Sequence, residues 1–182
     1  MKFVFVAALV CTLAPSIAAA DCGPVPHAAN DYNALSRFWG TTVSLCRAPD
    51  GTGNAYADRD HGVVWADQAW LDGVASRYGS WAAVGILAHE WGHIVQGNVG
   101  SGTAAELQAD CLAGVFMRGA GLAPESVREF AAVNWNEGGD PYWTPDGHGT
   151  SSQRVTAALR GYSGFQGQPP GALAALCPLS AF

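Results

Sequence analysis

The chain has 182 residues, which is long enough for one domain with a hydrophobic core and too short for two of comfortable size. It carries 9 lysines and arginines against 15 aspartates and glutamates, a formal charge of −6. This balance argues against the basic surface of a nucleic-acid-binding protein, so nucleic acid is not an expected partner.

The first 20 residues have the pattern of a secretory signal peptide. Lys2 precedes an apolar run over residues 3–13, and three alanines at 18–20 precede the expected cleavage site. Residues 21–182 are expected to form a single domain, because no repeat or low-complexity linker divides them. We therefore expect a secreted or periplasmic protein without a membrane anchor after cleavage. The sequence leaves its oligomeric state open.

Four of the five cysteines lie beyond the signal, an even number that favours two disulfide bonds in an exported chain. They are Cys22, Cys46, Cys111 and Cys177. Three pairings are possible. We prefer Cys22–Cys46 as a local link and Cys111–Cys177 as a link that ties down the C-terminal part. The alternative is four reduced thiols or a cysteine-rich metal site, but no pair has the spacing common in such sites.

Short elements are predicted before residue 79. Asn30 is placed to cap a helix that runs to about Trp39, and residues 41–47 have an extended pattern. Two segments are expected to pair as a hairpin around the turn at 60–62, and a short helix follows. The hairpin strands are residues 54–57 and 62–66, and the helix is residues 69–78.

The second half of the chain is predicted to be helical. Ser80 is expected to cap a helix over residues 81–96, whose first eight residues carry no charge. A helix that is apolar on every side is buried. Three further helices are predicted over residues 101–119 or 103–119, 124–134 and 150–161, the last opened by a capping box. The predicted class is α+β, mainly α, with a small sheet before the central helix.

Residues 89–93 of that central helix have the form H-E-x-x-H. Side chains four residues apart share a helix face, so His89 and His93 can reach one metal ion. Two imidazoles, a carboxylate and an open water position suit one Zn²⁺, and Glu90 can accept a proton from that water. The alternative is two core histidines satisfied by hydrogen bonds, although burying them without partners is costly.

The next helix offers two carboxylates on one face, Glu106 and Asp110. We expect Glu106 to be the third metal ligand and Asp110 to hold the free ring nitrogen of a metal-binding histidine. Two alternatives stay open. Glu106 could close a capping box with Thr103, and Asp110 could be solvated.

The other candidate residues follow or precede these helices. His148 could stabilise a developing oxyanion, or it could bond the start of the last helix. Arg154 could bind a substrate carboxylate or carbonyl oxygen, or it could pair with an acid of the preceding helix. Exposed positions without a role are expected for His27 and His61. An acidic loop could hold calcium, but its spacing favours solvated turn residues. Its acids are Glu137, Asp140 and Asp146, and Tyr142 and Trp143 beside them could wall a cleft.

Three ordered motifs resemble the bacterial neutral zinc metallopeptidase family, over roughly residues 46–162. They are Ala-His-Glu-Trp-Gly-His-Ile-Val-Gln at 88–96, Glu-Leu-Gln-Ala-Asp-Cys-Leu-Ala-Gly at 106–114, and His-Gly-Thr-Ser-Ser-Gln-Arg-Val at 148–155 with Gly-Tyr at 161–162. The second motif is also similar to that of membrane-bound gluzincin peptidases. In two respects the chain departs from the family: the connection between His93 and Glu106 is short, and Ile94 stands where many members have histidine.

The resemblance implies a zincin-like fold in which His89, His93 and Glu106 bind zinc and Glu90 is the general base. It also implies that an extended edge strand, either 54–57 or 63–66, lies antiparallel to a peptide substrate.

Hydrolysis of a peptide or protein substrate is therefore the leading hypothesis. Glu90 would take a proton from water and pass it to the leaving amine. A zinc-stabilised binding module without turnover is the alternative from another class, and a cell-wall peptide amidase is a second enzymatic one. A purely structural metal site has no use for a base, so Glu90 favours an enzyme.

Overall fold

The computed structural model describes residues 22–137, 147–169 and 172–182. Within these ranges the chain is mainly helical and carries one small sheet, which confirms the predicted α+β class. The expected signal peptide at 1–20 lies outside the described residues. In the part of the chain that is described, no helix has the length and apolar character needed to cross a membrane.

The described elements follow the predicted order along the chain. The helices are α1 Ala29–Trp39, α2 Gln68–Tyr78, α3 Ser80–Gln96, α4 Thr103–Gly119, α5 Pro124–Glu137, α6 Ser151–Gly164 and the short α7 Leu173–Leu176. The strands are β1 Ser44–Arg47, β2 Ala55–Asp58 and β3 Val63–Ala66. Two 3₁₀ turns, Pro26–Ala28 and Leu179–Ala181, lie near the ends of the described chain.

The sheet has the order β1-β3-β2. Strand β3 pairs in parallel with β1, with Ser44 opposite Val63, and antiparallel with β2, with Ala55 opposite Ala66. The predicted hairpin is thus confirmed. Since β3 is bonded on both sides, β2 is the hairpin strand at the edge of the sheet, and no other described strand pairs with its outer edge.

Helix α3 lies at the centre of the domain and packs against α2, α4, α5 and the sheet. Most of its charge-free first half is buried, for example at Val84, Leu87 and Ala88, as the sequence predicts, whereas Trp81 at its start is 39% exposed. The predicted cap was wrong. Ser80 is the first helical residue and makes no side-chain cap, while the Glu129 carboxylate of α5 accepts a hydrogen bond of 3.0 Å from the Trp81 amide.

Helices α4 and α6 approach each other backbone to backbone. A Cβ at Gly114 would collide with the carbonyl oxygen of Ala158, and a Cβ at Gly161 would collide with that of Cys111. Gly161 is therefore a packing position inside α6, which continues to Gly164, and the predicted helix end at this glycine was wrong. The capping box that opens α6 is present as predicted.

Two other helix ends differ from the prediction. Helix α1 begins one residue before Asn30, because a 3₁₀ turn runs directly into it, so Asn30 is not its cap. Helix α5 continues past Asn134 to Glu137, which places the Asn134 side chain on a helix in the interior. The acidic loop over residues 138–146 lies outside the described residues.

Both preferred disulfides are present. Cys22–Cys46 attaches the first described residues to β1, and Cys111–Cys177 attaches the C-terminal segment to the middle of α4. Cys111 and Cys177 are fully buried. Disulfides of this kind persist in oxidising compartments, which points to an extracellular type of environment.

All four of these cysteines are expected to resist alkylation in the absence of a reductant. Replacing Cys111 and Cys177 together with alanine should lower the free energy of unfolding by about 2–5 kcal/mol, because the bond closes a loop across 66 residues. Mass spectrometry after alkylation and urea unfolding measure the two effects. Quantitative labelling of Cys111 in the native protein would contradict this assignment.

Candidate metal centre and cleft

His89, His93 and Glu106 meet where α3 crosses α4. Gly92 permits this crossing, since a Cβ there would lie 3.2 Å from the carbonyl oxygen of Ala109. The Nε2 atoms of the two histidines are 3.1 Å apart. One carboxylate oxygen of Glu106 lies 3.2 Å from Nε2 of His89, and the other lies 3.4 Å from Nε2 of His93. Both histidines are buried, at 5% and 6% exposure.

The outer ring nitrogens of both histidines are already engaged. Nδ1 of His89 lies 2.8 Å from an Asp110 oxygen, and Nδ1 of His93 lies 3.0 Å from Oε1 of Gln96. Nε2 of Gln96 donates to the carbonyl oxygen of Ala105, so its Oε1 is the acceptor for His93. The Nδ1 atoms therefore carry the ring protons, and both Nε2 atoms present lone pairs to the same point.

With each ring neutral and protonated on Nδ1, this cluster brings three acceptors together and needs a proton or a cation between them. Oε2 of Glu106 is buried and makes no aligned hydrogen bond, although it lies beside His89 Nε2. The three candidate ligand atoms lie within 4.8 Å of one another. A cation placed among them would satisfy all three, so these residues fit a metal ion, and the donor set of two imidazoles and one carboxylate is one that zinc accepts.

The charges around these three side chains also favour a cation. Burial lowers the pKa of His89, but Asp110, Glu106 and Glu90 outweigh this effect and raise it to about 10. Burial raises the pKa of Glu106, but the two adjacent histidines, when protonated, hold it well below its usual range. The pocket thus favours positive charge at the point where the three side chains meet.

Asp110 is fully buried and organises the region behind His89. Besides His89, its oxygens accept hydrogen bonds from Asn134 Nδ2 at 3.1 Å and from two guanidinium nitrogens of Arg154, at 2.9 and 3.0 Å. Burial raises the pKa of Asp110, but Arg154 and His89 lower it overall. The solvated alternative for Asp110 is wrong. Arg154 pairs with Asp110 of α4 and not with an acid of α5, the helix before its own, so its charge is already engaged within the protein.

The capping-box alternative for Glu106 is also wrong. Helix α4 begins at Thr103 with Gly102 as its cap residue, and no side chain caps it. The Thr103 hydroxyl instead donates to the carbonyl oxygen of Gly147, 2.9 Å away. The Glu106 side chain therefore does not cap α4, and its carboxylate is turned towards the two histidines.

Sequence reasoning missed two residues of this site, Gln96 and Asn134. Gln96 lies three residues after His93 on the same helix face, a spacing that could have identified it. No local signal marks Asn134, which reaches Asp110 from α5 across 24 positions of the chain.

The candidate metal ligands His89, His93 and Glu106 line an open cleft with a volume of about 430 Å³. Residues 53–57, on and before the edge strand β2, line this cleft, and so do the apolar side chains of Trp70, Ile86, Phe130 and Val133. Ile86 is in the first half of α3, and Phe130 packs beside Gly85 of the same half, so the cleft has an apolar end towards the start of α3. Arg59, His148 and Arg154 also line the cleft.

Glu90 lines the same cleft as the candidate metal ligands His89, His93 and Glu106. No donor among the described residues is hydrogen bonded to its carboxylate. Burial raises the pKa of Glu90, and the nearby His89 and His93 oppose that rise in part. The carboxylate therefore lines the cleft without belonging to the group formed by His89, His93 and Glu106.

The remaining histidines differ in position. Nε2 of His148 lies 3.9 Å from a Glu106 oxygen, and its side chain is half-exposed at the cleft just before α6. His27 contacts Asp72 and His61 contacts Asp58, both on the surface and outside the cleft lining. Tyr142, Trp143, Asp140 and Asp146 lie outside the described residues.

Comparison with protein-family models, with curated proteins and with solved structures gives no match. The resemblance carried by the three motifs therefore stays an expectation.

We expect Asp110→Asn to weaken metal binding by about 10- to 100-fold, because an amide would turn its NH₂ group towards Arg154 and loosen the orientation of His89. Asp67→Asn is the matched control, since Asp67 is an equally buried carboxylate that contacts none of the three candidate ligands. One of its oxygens caps α2 and the other accepts from the Gly51 and Gly53 amides, so the change should lower stability by about 1–3 kcal/mol without changing metal affinity. Competition against a fluorescent chelator measures both affinities, and equal affinities for the two variants would contradict the role of Asp110.

Proposed function

We propose that this protein is a zinc metallopeptidase. The observation that carries the proposal is the meeting of two Nε2 lone pairs and the Glu106 carboxylate on the floor of an open cleft, with Glu90 beside them. A site closed on all sides would suit a structural ion, whereas an open cleft leaves room for a substrate and a water molecule.

A bound zinc ion would supply Lewis acidity and lower the pKa of a coordinated water towards about 7. Glu90 accepts the proton of the attacking water and returns it to the leaving amine. Asp110 and Gln96 hold the two imidazoles in the required tautomer and orientation. His148 is near enough to the cluster to stabilise the developing oxyanion.

The free edge of β2 is the proposed binding site for the substrate main chain. Residues 53–57 line the cleft, and strand addition to this edge would hold an extended peptide across the cluster. Strand β3, the other candidate from the sequence, is bonded on both sides and has no free edge. Apolar residues at one end of the cleft would receive an apolar substrate side chain.

Two alternatives make different predictions. A zinc-stabilised binding module would keep the metal without turnover, and the position of Glu90 in the cleft argues against it. A cell-wall peptide amidase would use the same residues on a different amide. The disulfides and the expected signal peptide support action outside the cytoplasm, in the periplasm or medium.

The test is cleavage of a diverse peptide library by the protein loaded with zinc, together with elemental analysis. We expect about one zinc per chain and cleavage that stops when the metal is removed and returns when it is restored. Cleavage of cell-wall peptides alone would favour the amidase. One zinc per chain without cleavage of either substrate class would favour the binding module.

A further inference from the structure

Arg59 lies at one end of the cleft, directly after strand β2. Its Nη1 donates a hydrogen bond of 2.7 Å to the carbonyl oxygen of Gly100, which ties the β2–β3 turn to the loop between α3 and α4. The side chain is partly exposed. Since a guanidinium has five N–H donors in a planar fork, this single contact leaves donors for a ligand.

The charge of Arg59 is not offset by a carboxylate of the described residues. The carboxylate of Asp58, its neighbour in sequence, is taken by His61. Arg154, the other arginine of the cleft, is neutralised by Asp110. The other sequence neighbour, Asp60, is exposed and is not among the residues that line the cleft. The two glutamates of the cleft would balance a divalent ion, so Arg59 is the lining arginine whose charge no carboxylate of the described residues pairs.

The two ends of the cleft therefore differ in chemistry. Ile86, one turn before Glu90 on α3, belongs to the apolar end, whereas Arg59 is bonded to the loop that follows α3. Antiparallel pairing is the commoner and slightly stronger arrangement of two strands. A peptide antiparallel to β2 would place its amino-terminal part beside Arg59 and its carboxyl-terminal part towards Asn54.

We propose that Arg59 selects an acidic side chain on the amino-terminal side of the cleaved bond, so that the substrates are peptides carrying aspartate or glutamate there. This inference rests on the proposed peptidase function. Pairing between a substrate carboxylate and the partly exposed Arg59 guanidinium should make a Glu peptide bind about 3- to 10-fold more tightly than the corresponding Gln peptide. Salt should reduce this preference.

The test uses the Glu90→Gln protein loaded with zinc, so that binding is measured without turnover. Fluorescent peptides carrying Glu, Gln or Lys at successive positions before a fixed apolar residue are titrated by anisotropy. The Glu peptide should bind about 3- to 10-fold more tightly than the Gln peptide at one or two positions. Adding Arg59→Gln should abolish the preference, and adding Arg59→Glu should reverse it in favour of Lys.

The matched control is Arg37→Gln, which removes the same charge from an exposed arginine on α1, outside the cleft lining. It should keep the preference, as should Arg59→Lys. A salt titration of the protein with Arg59 intact tests the charge effect even if an Arg59 variant fails to fold. Equal binding of Glu and Gln peptides at every position would overturn the inference. Charge-selective binding without cleavage by the protein retaining Glu90 would support Arg59 and count against the peptidase.

Discussion

Glu90→Gln is expected to lower the turnover of peptide substrates by at least about 100-fold and to leave about one metal ion per chain. Glu90 lines the cleft but is not among the three side chains that meet at the candidate metal site. The amide is nearly isosteric with the carboxylate, so the cleft keeps its shape while the proton acceptor is lost. Steady-state kinetics and elemental analysis of the same preparation measure both quantities.

Glu125→Gln is the control for this variant. It makes the same chemical change on the exposed surface of α5, where Glu125 lies 3.7 Å from Arg128. Its kinetics and its metal content should match those of the unchanged protein. Full activity in Glu90→Gln would remove Glu90 from the mechanism, and loss of the metal in that variant would assign Glu90 to the ligand set.

His93→Ala is expected to abolish tight metal binding, an effect larger than the roughly 10- to 100-fold loss that follows from disturbing an outer partner such as Asp110. Glu106→Gln should also weaken binding strongly, because a neutral amide oxygen replaces a charged ligand. Metal binding to the folded state stabilises that state, so the rise in the unfolding temperature that zinc produces should disappear in both variants.

His61→Ala is the matched control for the ligand variants. His61 is exposed, contacts Asp58 and lies outside the cleft lining, so its removal should leave metal content and the zinc-dependent stabilisation unchanged. Elemental analysis after gel filtration and thermal unfolding with and without a chelator provide the measurements. Undiminished zinc in His93→Ala would end the metal assignment, and undiminished zinc in Glu106→Gln would restrict the ligand set to the histidines.

The sequence alone determined the features that depend on neighbouring residues. Helical periodicity places His89 and His93 on one face because residues four apart lie on adjacent turns. The capping box of α6 involves hydrogen bonds between Thr150 and Gln153, which are three residues apart. The hairpin follows from a turn between two short apolar segments. In each case the groups that interact are close in the chain, so the pattern can be read locally.

Only the tertiary structure decided between the alternatives at Glu106, Asp110 and Arg154. Spacing allowed Glu106 to be a cap or a ligand, and the close crossing of α3 and α4 at Gly92 turned it towards the histidines. Asp110 meets His89 across 21 positions and Arg154 across 44. Such contacts depend on how closely whole helices pack, which no local pattern encodes.

The same reason explains the residues that sequence reasoning placed wrongly. Gly161 looks like a helix end by composition, yet it lies inside α6 because the backbone of α4 leaves no room for a Cβ. Ser80 looks like a cap, yet Glu129 bonds the start of α3 from 48 positions away. The sequence determined which side chains can bind a metal, and helix packing decided which of them face the cleft and which hold the others in place.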